Sequence, residues 1–265
     1  MSFGALVIEG IGFWAPTLPG WETARAAFRG EAAPVDPPAR RPAPQLLAPA
    51  ERRRAPDSVA LALEVAAAAV AASGRAPATL PSVFVSAHGD LAINDHLCGM
   101  LVNTPTLVSP TKFHNSVLNA AAGYWTMGTA CHEASTALTA FEHSFANGLL
   151  AAATQCLADQ RPVLLVGFDV AAVGALGSVT RSTGLLAAAL VLSPEKNGHP
   201  LARIDLSLQP GGGTPHAPAS AAAQALAGNA MADALPLFEA LAQGGAATLA
   251  LPLSARQTLQ LQLTS

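Results

Sequence analysis

Three cysteines are the residues of this chain best suited to nucleophilic chemistry, because a thiolate is a strong nucleophile among ordinary side chains. Cys98, Cys131 and Cys156 are odd in number, widely spaced and outside any C-x-x-C pair, so the sequence predicts neither a disulfide framework nor a zinc site. Burial as small apolar side chains is the simplest expectation for all three. Cys131, which ends the tripeptide Thr129-Ala130-Cys131, is the candidate nucleophile that has to be weighed.

A cysteine that acts as a nucleophile is expected at an elbow, which is a sharp turn from a strand into a helix, because the helix N-terminus stabilises the thiolate. Cys131 lies eight residues after Gly123, too few for one helix to end and a strand to reach an elbow. Residues 135–140 predict a short buried strand, and apolar residues recur at helical spacing from Phe141 onward. Glu142 therefore fits the elbow better than Cys131 does.

The residues before this elbow carry a family pattern. Asn119, Ala122, Gly123 and Tyr124 match N-x-x-A-G-[HY], and the stretch 113–169 resembles the nucleophile region of β-ketoacyl synthases. In that family a T-A-C-x-S motif follows about twenty residues later, and counting on by that interval reaches Glu142. The resemblance implies a condensing-enzyme architecture with Glu142 at the nucleophile position, and hence a chain without condensing activity.

The histidines that the resemblance implies are missing as well. Condensing enzymes of this family use two histidines, one followed by Gly-Thr and one near an F-G-F-G-G segment, to stabilise developing negative charge. After Ser193 only His199 and His216 remain, and neither carries either motif. Malonyl decarboxylation, known in relatives with glutamine at the nucleophile position, is disfavoured by the same absence. The histidines near the elbow lack metal-ligand spacing, so no metal site is predicted: His114, His132 and His143.

The order of predicted elements indicates an α/β fold. Strands and helices alternate along the chain, and the apolar runs 163–168 and 184–192 are typical of strands covered on both faces. Prolines and arginines crowd residues 31–56 and predict an extended surface loop. The resemblance implies one thiolase-like layered domain over 1–265, with a nearly complete first half at 1–192 and a strongly shortened second half at 193–265.

Composition excludes several classes of function. A net charge of -3 and 12% charged residues give no general attraction to nucleic acid. The N-terminus has no basic region typical of a signal peptide, and the longest apolar run is too short to span a bilayer, so a cytoplasmic protein is expected. The glycine-rich segment 211–213 lacks G-x-G-x-x-G spacing, so no cofactor is predicted.

The resemblance narrows further, to the small chain-length-factor-like proteins of aryl polyene pathways. It implies a noncatalytic subunit that forms a heterodimer with an active ketosynthase and shapes the tunnel for the growing chain. Acyl carrier protein is a possible second partner, which the arginines at 40–41 and 52–54 could meet. An acyltransferase using Cys131 and a freestanding thiolase-fold binding module remain alternatives. The tunnel or interface candidates are Phe113, Val117, Leu118, Trp125 and Phe141.

Overall fold

The structure, a computed structural model, describes residues 2–194 and 200–264. Strands and helices alternate over most of this length. The strands are β1 (Ser2–Ala15), β2 (Leu18–Pro19), β3 (Ser82–Val85), β4 (Ser135–Leu138), β5 (Val163–Asp169), β6 (Leu186–Pro194), β7 (Ala202–Pro210), β8 (Ala247–Ser254) and β9 (Gln257–Thr264). The helices are α1 (Trp21–Phe28), α2 (Pro49–Arg54), α3 (Asp57–Ser73), α4 (Leu91–Asn103), α5 (Pro110–Asn115), α6 (Ala120–Thr129), α7 (Ser144–Asp159), α8 (Ala221–Gln224) and α9 (Leu235–Gln243).

The described strands form one mixed sheet in the order β4-β3-β5-β6-β1-β7-β9-β8, with β2 paired to β1. Strands β4, β3 and β5 run parallel, and the other pairs are antiparallel. The long strand β1 joins the two halves of the chain, because Leu6, Val7 and Ile8 pair with β6 on one side and β7 on the other. The two halves therefore share one continuous sheet.

Helix α7 lies at the centre of the fold. It packs on β3, β5 and β6 and also contacts β8, so the sheet curves around it. Its core-facing residues Phe145, Leu149 and Ala152 have no exposed surface. Helices α3 and α6 cover the opposite face of β3, β5 and β6 and form a second apolar cluster around Trp125. This arrangement explains why β5 and β6 are buried along their whole length.

The strands of the second half have one buried and one exposed face. Residues of β7 alternate between buried and exposed, and the sequence QTLQLQLT of β9 places leucines inward. Gln257 and Gln262 of β9 are exposed on the outer face. A face lined by such residues needs no further layer of helices.

The structure confirms the helix that follows Phe141 and the two strands covered on both faces, which are β5 and β6. Three expectations were wrong. Residues 49–54 form the helix α2, which Pro49 starts at its first turn. Strand β4 was expected to be buried, yet it is an edge strand with exposed and half-buried residues. Cys98 was expected to be buried and is exposed.

Two glycines set the distance between β1 and α3. A Cβ on Gly12 would lie 2.1 Å from the carbonyl oxygen of Val65, and a Cβ on Gly10 would lie 2.0 Å from that of Ala69. Because Gly10 and Gly12 are two residues apart in a strand, they face the same side. The segment Gly10-Ile11-Gly12 is therefore required for the close approach of the helix.

We expect Gly12→Ala to lower the free energy of unfolding by about 1–3 kcal/mol, because the added methyl forces α3 away from β1. Urea unfolding followed by circular dichroism would measure the change. Gly99→Ala in α4 is the matched control, since no atom lies within 4 Å of its added Cβ, and it should stay within about 1 kcal/mol of the parent. Equal stabilities for the two variants would contradict the argument.

Candidate functional site

The elbow predicted from the sequence joins β4 to α7. A single helical turn, Phe141–His143, leads into α7, and Phe141 has a backbone φ of 53°. A phenylalanine in this left-handed region is strained, and such strain is common where a fold holds a functional turn. The Ser144 hydroxyl stabilises the turn by accepting a hydrogen bond from the Ala140 N–H at 3.1 Å and donating to the Phe141 carbonyl at 2.9 Å. Glu142 is exposed at the tip of the elbow.

The N-terminus of α7 is capped by a carboxylate from the second half of the chain. Oδ2 of Asp233 accepts hydrogen bonds from the backbone N–H groups of Phe145, at 3.0 Å, and Ala146, at 3.2 Å. Burial raises the pKa of Asp233 to about 7, against the lowering effect of these two donors, and Asp169 nearby raises it further. The donors that could stabilise a thiolate at a helix N-terminus are therefore used by an internal carboxyl group.

A cavity of about 440 Å³ lies beside the elbow. We call it the elbow cavity. Its wall contains the strained Phe141, the exposed Glu142 and the capping Asp233. The other residues that line it are Ala87, Val179, Thr180, Arg181, Asn229, Ala230 and Ala232. None of the described residues that line the elbow cavity is a cysteine.

Asp169, at the end of β5, holds the parts of the cavity wall together. Its carboxylate accepts hydrogen bonds from the Ser86 hydroxyl at 2.6 Å and the Ala87 N–H at 2.9 Å. Its backbone carbonyl accepts a hydrogen bond from the Asn229 side chain at 3.3 Å. Burial raises the pKa of Asp169 to about 6, while the neighbouring His88 lowers it. Both Ala87 and Asn229 line the elbow cavity, so Asp169 fixes two of its walls.

The geometry separates Cys131 from the elbow. Cys131 follows the C-terminal end of α6, is buried, and its Sγ lies 3.5 Å from the carbonyl oxygen of Leu80. It therefore lacks the helix N-terminus that would activate it. Cys156 is buried in α7, and burial raises the pKa of its thiol to about 12. Cys98 is the exposed cysteine, on α4.

Several exposed apolar side chains lie around α4, α5 and the elbow. Phe113 is 64% exposed, Phe141 49% and Val117 47%, which is unusual for residues of this size. Leu118 is half-buried. Trp125, by contrast, is only 1% exposed and belongs to the core under α3. Further exposed apolar side chains are Leu101, Val102, Leu107, Val173, Leu176 and Val179.

A groove of about 470 Å³ runs between α6 and the edge strand β4. Ala122, Gly123 and Thr126 face it from the helix, and Ser135 and Ala137 face it from the strand. No heavy atom lies within 4 Å of a Cβ built on Gly123. The small residues of the family-like segment therefore leave space for another chain to approach the helix and the strand edge.

The sequence missed three residues of the site. Asp169, Asp233 and His88 meet only because the chain folds, since each lies more than sixty residues from the next in sequence. Asp169 could have been identified as a candidate from the sequence, because a polar residue at the end of a buried strand often faces a functional site. Of the histidines without a family motif, His216 accepts a hydrogen bond from the Ala250 N–H, and His199 lies outside the described residues.

The described residues contain no group of three or more metal-ligating side chains. Within residues 2–194 and 200–264, no helix has both the length and the hydropathy to cross a membrane.

Comparison with known proteins identifies the class. The family model "Beta-ketoacyl synthase, N-terminal domain" matches residues 21–255, so the chain belongs to this family. No protein with a curated description matches the sequence. The chain has the thiolase-like ketosynthase fold, with a short second half.

Solved structures show the same fold at low sequence identity. The ketosynthase ApeO in complex with its chain length factor ApeC, from Xenorhabdus doucetiae, contains a chain that is 22% identical, with a TM-score of 0.74 over 98% of this chain and 99% of that one. The ishigamide ketosynthase/chain length factor gives 17% identity and a TM-score of 0.73 over 98% and 99%. A type II PKS acyl-carrier protein in complex with its ketosynthase, AntDE:AntF, gives 10% identity and a TM-score of 0.74 over 100% of both chains.

We expect iodoacetamide to alkylate Cys98 at least about tenfold faster than Cys131 and Cys156, because an exposed thiol is accessible and a buried one is not. Peptide mapping of the native chain after brief labelling would measure the three rates. The variant Cys131→Ser should label at the same total rate as the parent. Selective loss of Cys131 in the parent chain would instead identify it as an activated nucleophile.

Proposed function

We propose that this chain is a cytoplasmic, noncatalytic subunit of the chain length factor type, which forms a heterodimer with an active ketosynthase. The proposal covers biosynthesis of aryl polyenes or of related type II polyketide or fatty-acid-like chains. In it, residues 1–192 form the ketosynthase-like half of one domain, and residues 193–265 complete the cover of α7. The observation that carries the proposal is the elbow, where Glu142 stands beside a helix N-terminus already capped by Asp233.

The chemistry of the elbow supports a noncatalytic role. A condensing enzyme transfers an acyl group to a thiolate, which requires a cysteine with a lowered pKa at the elbow. Here the elbow offers a strained phenylalanine and an exposed glutamate, and Cys131 is buried at the far end of another helix. Neither His199 nor His216 carries the family's histidine motifs. These features argue against an acyltransferase that uses Cys131.

The exposed surface supports pairing. Among the described strands β4 pairs with β3 alone, so its other edge offers backbone N–H and C=O groups to a further strand. The groove beside it is lined by small residues, and Phe113, Val117 and Phe141 are exposed near α5 and the elbow. Protein partners commonly cover an open strand edge flanked by apolar groups. A second subunit of similar fold would satisfy both the edge and the apolar side chains.

Tunnel shaping follows from the same surface. Phe113, Val117, Leu118 and Phe141 are the side chains that we propose to face the growing chain or the partner, whereas Trp125 is enclosed by its own core. Acyl carrier protein is a possible further partner. The C-terminal turn of α2 contains Arg52, Arg53 and Arg54. The positive charges of these side chains would attract an acidic protein.

We expect coexpression with a ketosynthase from the same gene neighbourhood to yield a complex whose mass equals one copy of each chain. Obligate pairs bury roughly 2,000–5,000 Å², so the complex should survive size exclusion at micromolar concentration. Light scattering would measure its mass. A stable monomer or a homodimer in the presence of the ketosynthase would favour a freestanding binding module, and condensation by the isolated chain would refute the noncatalytic role.

We further expect Phe113→Ala and Val117→Ala to shift the product distribution of the complex toward longer chains, because a smaller side chain leaves more room in the tunnel. Mass spectrometry of the products would detect the shift. Leu201→Ala is the control, because Leu201 is also exposed but lies next to β7. Trp125→Ala should instead lower stability by about 3–5 kcal/mol. Unchanged product masses in both tunnel variants, with an intact complex, would exclude this assignment.

A further inference from the structure

His88 and Asp169 form a buried pair behind the elbow cavity. Their side chains are 5% and 0% exposed. Nδ1 of His88 lies 2.9 Å from the carbonyl oxygen of Gly89. Nε2 of the same ring lies 3.7 Å from Oδ1 of Asp169 and has no hydrogen-bond partner. The hydroxyl of Ser86 and the N–H of Ala87 donate to the same carboxylate.

The hydrogen-bonding groups of His88 and Asp169 are compatible with each other only if the pair holds one proton in addition to the one on Nδ1. A carbonyl oxygen only accepts, so Nδ1 of His88 must carry the hydrogen that reaches Gly89. In a neutral imidazole Nε2 then presents a lone pair. If Asp169 is ionised as well, two acceptors face each other in a buried site with no hydrogen between them, which is an unfavourable arrangement. One proton, on either Nε2 or the carboxyl group, removes this conflict.

We propose that His88 and Asp169 together hold one proton at neutral pH and that this proton locks the turn of residues 86–89 against the end of β5. Burial also favours the protonated form of Asp169, since it raises the pKa of this carboxyl group to about 6. The charged groups in the surrounding elements are Asp90 at the start of α4, Asp233 before α9, and Glu142 and Arg181 in the cavity wall. The like charge of Asp169 raises the pKa of Asp233, so these two carboxyl groups interact.

The locked turn connects the cavity to α4. Ala87 lines the elbow cavity, and Gly89 leads to Asp90, whose carboxylate accepts a hydrogen bond from the Ile93 N–H at the start of α4. At pH 7.5 an unfolded chain would have this aspartate ionised and this histidine largely neutral. The folded pair then binds one more proton than the unfolded chain, so its contribution to stability falls as the pH rises. Loss of the proton should loosen the turn and the start of α4. This device does not depend on the proposed partner.

Nuclear magnetic resonance of the full chain tests the proton directly. The ring ¹⁵N shifts of His88 and the carboxyl ¹³C shift of Asp169 report their protonation at pH 7. We expect the two groups together to carry one proton beyond the one on Nδ1, and its loss at higher pH to shift the amide signals of Ala87 and Gly89. An ionised Asp169 beside a neutral His88 at pH 7 would overturn the proposal.

Two variants separate the shared proton from simple packing. Asp169→Asn keeps an acceptor for Ala87, and its amide N–H₂ can donate to Nε2 of His88 in place of the shared proton. The pair then needs no additional proton at neutral pH, so the change of the Ala87 and Gly89 signals above pH 7 should disappear. His88→Gln should make amide hydrogen exchange at Ala87 about tenfold faster at pH 7, whereas the exposed control His132→Gln should leave it unchanged. A pH dependence retained in Asp169→Asn would also overturn the proposal. If that variant does not fold, the titration of the parent chain decides the question.

Discussion

The burial of α7 inside the curved sheet is the constraint on which the rest of this structure depends. Phe145, Leu149 and Ala152 have no exposed surface. A Cβ on Gly148 would lie 2.5 Å from Val85, so the helix must approach the sheet through a glycine. A buried helix also needs partners for its first N–H groups, because water cannot reach them. That requirement brings Asp233 from the second half of the chain to the elbow.

This capping arrangement links the C-terminal part of the chain to α7. Strand β8 contacts α7, and the turn before α9 supplies the carboxyl group of Asp233. The outer face of β9 is polar, so the fold closes there without another layer. The same geometry that completes the core places a carboxyl group at the positive N-terminal end of α7. One contact between distant segments thus completes the core and caps the helix.

The opposite edge of the sheet is left incomplete. Strand β4 has an open edge, and the helices next to it expose Phe113, Val117 and Leu101. Water can satisfy the open backbone groups, but it cannot satisfy so many large apolar side chains. The molecule therefore combines a closed interior with an exposed apolar face.

Local sequence determined the alternation of strands and helices, the elbow before α7, and the absence of a cysteine there. These features follow from the spacing of apolar residues and from the length of chain that each element needs, so neighbouring residues are enough to predict them. Only the tertiary structure decided that β4 lies at the edge, that Trp125 is enclosed and that Cys98 is exposed, because sheet order depends on distant strands. It also decided that His88, Asp169 and Asp233 meet. Burial and contact between residues so far apart in the chain arise from packing, which no local pattern records.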